Sequence, residues 1–349
     1  MARSRRVTLQ DVADEVGLSV NTVSRALAGK NQVSERTRST VRSVAARLGY
    51  VPNSHARSLV SGRTMVVGLV ITNPSNPFYA ALISAVEQRC RRSGYSVLLL
   101  VTEESEANEG EAVEQLLTYG VDGVIAIPVQ RDGDSWSRLA AAKIPVVFVS
   151  RDLPEFGFDF VGIDAEAGVA EAVERVAAGI DRAWLFEEDL RISTTEARIA
   201  GFRRALEAGG IDQRKSLVLK VQTRRTAGAS RPWRPDDAYQ MAANLITEQN
   251  HPDLVVAGND HFALGILKAL RERGLAVPDD VQVVGYGDHP FAAYLDPALT
   301  TLRLPAEDVG ATAVDHLLER IADPAGPRRT LLFRPELVER DSTRRPVSA

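Results

Sequence analysis

The sequence predicts a small all-α helix-turn-helix head, followed by an α/β core of two doubly wound parallel-sheet subdomains. Three observations predict it. In the first 50 residues, apolar positions recur at helical spacing and are cut by single glycines. From Met65 onward, continuously apolar β-rich runs alternate with helix-period segments. The charge also changes sign between the two parts. Residues 1–63 hold 11 Lys and Arg against 4 Asp and Glu, a net +7, so the overall −4 leaves −11 on the remainder.

The head, residues 1–50, reads as three helices. Thr8 can cap a helix from Leu9 to Val16, with Asp11 three residues on, close to capping-box spacing. Leu9, Val12, Ala13 and Val16 share one face, and Gly17 stops the helix. Ser19 can cap a second helix from Val20 to about Leu27, with Val23, Ala26 and Leu27 inward and Gly29 after it. Ser34 opens a third, with the stripe Val41, Val44, Ala45 and Leu48, ended by Gly49. The short turn Val16–Ser19 gives helix-turn-helix spacing.

Packing explains the stripes but not the outer face of the second helix. That face carries Val20, Asn21, Thr22, Ser24 and Arg25. Short side chains let a helix sit deep in a major groove. Asn pairs with adenine, Arg with guanine, and hydroxyls with phosphates or base edges. With the head's positive charge, this predicts double-stranded DNA as its partner, with Thr8 and Ser19 among the contacts. Residues 51–63 read as a hinge: Asn53 can cap about two helical turns, but Ala56, Leu59 and Val60 are too few for a core. The segment is expected to be helical only when something holds it.

The core is expected over 64–340, with a tail at 341–349. Strands are predicted at Val66–Ile71, Val97–Val101, Gly123–Ile127, Val146–Val149, Phe160–Ile163, Ala183–Phe186, Leu254–Ala257 and Val281–Val284. Helices are predicted near Phe78–Ser93, Asn108–Tyr119, Ala165–Ala178, Thr195–Ala208, Asp236–Gln249, His261–Arg273 and Ala306–Ile321. Thr223–Pro235, rich in arginine with two prolines, reads as an irregular loop. The expected division is a first subdomain of about 64–160 and 290–320, and a second of about 161–289 and 321–340. Two such sheets leave a ligand cleft at the carboxyl ends of their strands.

Other classes are excluded in turn. Cys90 is the single cysteine, so no internal disulfide forms, which fits a reducing compartment. No apolar h-region follows the basic N-terminus and no run approaches the ~20 residues of a membrane span, so a cytoplasmic protein without membrane contact is expected. No nucleophile, metal or phosphate-loop pattern stands out. The chain is therefore expected to be no enzyme and to need neither cofactor nor metal. The last residues show no leucine heptads for a tetramerisation helix.

The head resembles the DNA-binding head of LacI/GalR-type transcriptional regulators over Val7–Leu27, Val33–Arg38, Leu48–Asn53 and Ala56–Leu59. The core is similar to the same family at Asn73-Pro-Ser-Asn-Pro-Phe-Tyr79, Gly120–Val124, Ala197–Phe202, Gly258–Gly265, Leu299–Leu302 and Pro335–Thr343. The resemblance implies base readout by Val20, Asn21 and Arg25. It also implies a hinge helix that brings Asn53, His55 and Arg57 to the DNA and wedges Leu59 into the minor groove. A two-fold homodimer on a palindromic operator follows, probing DNA as a repressor would. The core is implied to be periplasmic-binding-protein-like, with a small sugar-like effector between its subdomains. The implied effector residues are Phe78, Arg151, Arg198 and Asp260. Asp260 reads alternatively as a helix N-cap, Arg151 and Arg198 as members of surface ion pairs, and Trp233 either stacks on a ligand ring or is an exposed loop residue. The chain departs from the family at Gly179-Ile180, where Gly-His is usual. It departs again at Gly285-Tyr-Gly-Asp288, which lacks one acid of the usual turn. Leu185-Phe-Glu-Glu-Asp-Leu-Arg191 is unusually acidic, and its three acids read as a solvated run bordering the cleft.

Overall fold

The computed structural model describes residues 7–27, 33–50, 62–130, 134–223 and 234–344. The chain forms two compact units, Met1–Thr64 and Met65–Ala349.

In the first unit the three head helices are α1 (Leu9–Val16), α2 (Val20–Leu27) and α3 (Glu35–Leu48). Thr8 and Asp11 form the reciprocal capping box, which satisfies two of the backbone donors left open at the start of α1. Gly17 ends α1 at φ +65°, a left-handed conformation that glycine adopts without steric cost. Ser34 caps α3 through the Thr37 amide, and Gly49 closes it. Val12, Ala13, Val23, Ala26, Val41 and Ala45 make the buried core of this unit.

The second unit contains two six-stranded sheets. The first has strand order β11-β5-β4-β3-β1-β2, all parallel. Its strands are β1 (Val66–Ile71), β2 (Ser96–Val101), β3 (Gly123–Ala126), β4 (Val146–Val149), β5 (Asp159–Ile163) and β11 (Thr330–Phe333). The second has order β12-β10-β9-β8-β6-β7, parallel except for β12 against β10. It comprises β6 (Ala183–Glu188), β7 (Leu217–Val221), β8 (Leu254–Ala257), β9 (Gln282–Gly287), β10 (Thr300–Arg303) and β12 (Glu336–Val338).

Helices cover both faces of each sheet, which is why the central strands are apolar throughout. On the first sheet, α4 (Pro77–Arg92) and α11 (Ala306–Ala322) cover one face, while α5 (Glu106–Tyr119) and the short α6 (Ser137–Ala141) cover the other. On the second sheet, α7 (Ala165–Val176) and α8 (Ser193–Ala208) pack opposite α9 (Pro235–Leu245) and α10 (Asp260–Glu272).

The expected division of the C-terminal third is corrected. Within 290–320, assigned to the first subdomain, β10 pairs with β9 of the second sheet. Only α11 returns to the first, because Val309, Ala313, Val314 and Leu317 complete the core under α4. Within 321–340, assigned to the second subdomain, β11 pairs with β5 of the first sheet. Arg320 fixes this return through two bonds to Asp159, at 3.0 and 2.9 Å. The connections therefore run between lobes at 163–165, 303–306 and 333–336. Strands β7, β10, β11 and β12 and helix α6 were not foreseen. They are short, and β7, β11 and β12 are partly exposed sheet edges whose apolar runs are at most three residues long.

Close helix packing sets a steric limit at Gly201 in α8. A Cβ there would lie 2.2 Å from the Glu166 carbonyl oxygen, and backbone cannot yield as a side chain can. Gly201→Ala should cost about 1–3 kcal/mol. Gly110 in α5 has only an ordinary 3.5 Å neighbour, so Gly110→Ala should stabilise by up to ~1 kcal/mol through helix propensity. Urea midpoints of the two variants check the pair, and equal shifts would contradict the packing described.

Candidate functional site

The head presents one face of α2. Asn21, Ser24 and Arg25 are exposed at i, i+3 and i+4, so they lie together and away from the head core. Val20 and Thr22 are only half-exposed: Val20 packs against the core, and the Thr22 hydroxyl pairs with Ser19 Oγ at 2.9 Å. Ser19 Oγ also accepts from the Thr22 amide at 3.2 Å, and Thr8 Oγ1 from the Asp11 amide at 3.3 Å. Both capping residues remain exposed at helix starts. Asn53, His55, Arg57, Leu59 and Trp233 lie outside the described residues.

The core presents a cleft between the carboxyl ends of its two sheets. Phe78, Tyr79 and Arg151 line it from the first lobe; Glu188, Arg198, Tyr286 and His289 line it from the second. It holds about 60 Å³ of room for water-sized guests, within about 630 Å³ that includes its solvent mouth. The smaller figure corresponds to roughly five waters. A sugar-sized guest therefore needs the lobes to part.

Both arginines expected to hold an effector are buried there and already paired. Arg151 donates through both terminal nitrogens to Glu104, each at 2.7 Å. Its Nε is buried without a hydrogen-bond partner among the described residues. Arg198 donates to both oxygens of Glu187, at 2.7 and 2.9 Å, and lies over the Tyr286 ring. Glu187 and Glu188 are 0% and 4% exposed, which corrects the reading of 185–191 as a solvated run; only Asp189 of the three acids faces solvent. Burying a carboxylate is tolerable here because guanidinium groups lie against it.

Asp260 is also corrected. It is fully buried and is not among the residues lining the cleft. Its oxygens accept from the Thr301 hydroxyl at 2.6 Å and the His289 amide at 2.7 Å. It braces α10 against β10 and the turn after β9. Nor is it the N-cap: Asn259 caps α10 by accepting from the Phe262 amide at 2.9 Å.

Gln130 escaped sequence reasoning. It sits at φ +60° after β3, and its Nε2 donates to the Asp152 carbonyl at 2.7 Å and to Ser193 Oγ at 3.0 Å. Its Oε1 accepts from the Ser193 amide at 2.9 Å. One amide side chain from the first lobe thus caps α8 of the second. An isolated glutamine on a loop carries no sequence signal for such a role.

Beneath this clasp, Glu109 of α5 accepts from the Val129 amide at 2.8 Å. Burial pushes its carboxyl up to about 7, and the Val129 amide only partly offsets that. A carboxyl raised in the folded state stabilises fully at low pH, and the contribution is lost as pH rises through about 7. Wild-type thermal stability should therefore fall between about pH 4.5 and 7 and level off above that. Glu109→Gln keeps the acceptor and should flatten that slope, gaining on the order of 1–3 kcal/mol at pH 8. Parallel slopes in thermal melts would show that Glu109 does not titrate there.

Comparison with known proteins places this geometry. Residues 8–53 match the family described as "Bacterial regulatory proteins, lacI family", and 174–343 match a "Periplasmic binding protein-like domain". The HTH-type transcriptional regulator DegA of Bacillus subtilis is 30% identical over 97% of this chain and 98% of its own length. The lac repressor dimer bound to operator and the anti-inducer ONPF superposes with TM-score 0.85 at 27% identity, covering 97% of this chain and 99% of that one. The complex of the transcriptional regulator CelR with cellobiose superposes with TM-score 0.68 at 28% identity, covering 97% and 100%. A helix-turn-helix head and a two-lobed α/β core, matched along nearly the whole chain, have one consistent assignment: this protein belongs to the LacI family of bacterial regulatory proteins.

Proposed function

We propose that this protein reads an approximately palindromic operator as a homodimer and represses transcription, with a small polyhydroxylated metabolite in the interlobe cleft setting its grip. The protein is a ligand-responsive DNA-binding transcriptional regulator and not an enzyme. The observation that carries the finer reading is the exposed Asn21–Ser24–Arg25 face on a head and hinge, residues 1–63, of net charge +7. Asn21 and Arg25 are suited to bidentate base contacts; Thr8 and Ser19, at the starts of their helices, and Thr22 and Ser24 to phosphates or base edges. Val20 offers a small apolar contact beside them.

The hinge completes the reading. Asn53, His55 and Arg57 bring it to the duplex, and Leu59 wedges between base pairs, with the unstacking cost offset by added contact. Working on DNA, the protein acts in the cytoplasm. A sugar-class effector is supported by the cellobiose in the CelR complex and by the aromatic and guanidinium lining of the cleft. Ligand and operator affinities are then coupled reciprocally, through whichever lobe arrangement each prefers.

Operators selected from random duplexes provide the test. Arg25→Ala should lower specific affinity by about 1–3 kcal/mol and shrink the ratio of operator to random-sequence binding. Fluorescence anisotropy at two salt concentrations reads both quantities. A uniform loss with an unchanged ratio would assign Arg25 to phosphate instead.

A further inference from the structure

Two arginines in a ligand cleft ordinarily suit a phosphate or a carboxylate, which a guanidinium fork can hold with two parallel bonds. Here each fork already holds a carboxylate of the protein, Arg151 that of Glu104 and Arg198 that of Glu187. All four side chains are buried, so neither pair can turn to solvent when a guest arrives.

Both pairs are also held from behind. Glu187 Oε1 accepts from the Glu188 amide at 2.8 Å as well as from Arg198. The same carboxylate lies against Gly258, where a Cβ would stand 2.7 Å from Oε1, so the absent side chain makes room for the acid on β6. Arg151 Nη1 donates to the Pro128 carbonyl at 3.3 Å besides Glu104. The pairs are therefore fixed before any ligand enters. His289 at the rim adds no cation at neutral pH, because burial holds its ring below the ordinary histidine range.

An anionic guest can use these arginines in two ways, and both are costly. It can displace a glutamate, which strips a buried carboxylate of its counter-ion. Alternatively it can join the glutamate on one guanidinium, which sets two like charges side by side away from water. A neutral hydroxyl meets neither cost. Arg151 Nε is a buried donor with no acceptor among the described residues, and one hydroxyl oxygen can serve it. Phe78 and Tyr286 add flat apolar surface for the carbon face of a ring. We infer that Glu104 and Glu187 determine the specificity of the cleft: by holding Arg151 and Arg198 they make it accept an uncharged, hydroxylated effector and reject the phosphorylated or carboxylated forms of the same compound.

This inference rests on the proposed effector role of the cleft. The test is calorimetric titration of the full-length protein with matched sets in the gluco, galacto and manno series. Each set contains the neutral sugar, its 6-phosphate and its uronate. At least one neutral sugar should bind, and its phosphate and uronate should bind at least ten-fold more weakly. Glu187→Gln keeps one acceptor for Arg198 but removes the negative charge, so it should shrink that gap five-fold or more. Glu104→Gln should do the same through Arg151, and it replaces the first variant where that one fails to fold. An anion binding wild type as tightly as its neutral parent, no binding by any neutral sugar, or an unchanged gap in a folded variant overturns the inference. The wild-type ranking decides the ligand class even where neither variant folds. Operator binding measured on the same preparation separates the failures: if it is intact, only the ligand class fails; if it is absent, the regulatory reading fails with it.

Discussion

Two guanidinium groups buried between the lobes must be neutralised where they sit, and much of the core is arranged to do so. An unpaired buried charge costs several kcal/mol, so each arginine needs a carboxylate in fixed geometry. Arg151 follows β4 and finds Glu104 after β2; Arg198 rises from α8 and finds Glu187 on β6. Both pairs sit near the carboxyl ends of parallel strands, where open α/β sheets leave a crevice. The sheets therefore fix where the charges stand, and the charges fix what the crevice can accept.

The lobes are joined by more than their three chain connections. Gln130 reaches across to cap α8, and the loop carrying it hangs from Glu109 through Val129 and accepts from Arg151 through Pro128. Because Arg151 also holds Glu104, the clasp and that ion pair form one connected polar network. Such networks are rigid when satisfied and open as a unit when a member is displaced. A guest larger than a few waters cannot enter the cleft without disturbing it. The proposed regulation asks for a second arrangement of the lobes, separated from this one by that small set of bonds, as a ligand-driven shift of population requires.

Much of this fold was legible in the sequence, for identifiable reasons. The head helices carried their caps on the page: Thr8, Gly17, Ser34 and Gly49 all stand at the ends where local chemistry places them. Central strands such as Val66–Ile71 and Val146–Val149 announced themselves as unbroken apolar runs because both faces are covered. The edge strand β11, exposed along most of its length, offered only the three-residue run Leu331–Phe333. The cleft was half legible. Phe78, Arg151 and Arg198 do line it. Their neutralisation was not readable, because Glu104 lies 47 residues from Arg151 and only tertiary structure brings them together. Glu187 and Glu188 looked solvated for the same reason: acids are usually outside unless paired, and the pairing is not local. Asp260 misled in the opposite direction, since an acid at a helix start facing a crevice is also what a strand brace looks like.

The central claim is that the arrangement of the lobes governs the grip on DNA. The most direct measurement is operator affinity of Gln130→Ala against wild type, without ligand. Removing the clasp should shift the balance between lobe arrangements and change operator affinity at least five-fold, within the range of ordinary allosteric coupling. A lowered melting temperature would confirm that the clasp had been lost. An unchanged operator affinity in that destabilised variant would contradict the account, because the cleft would then open without the head responding.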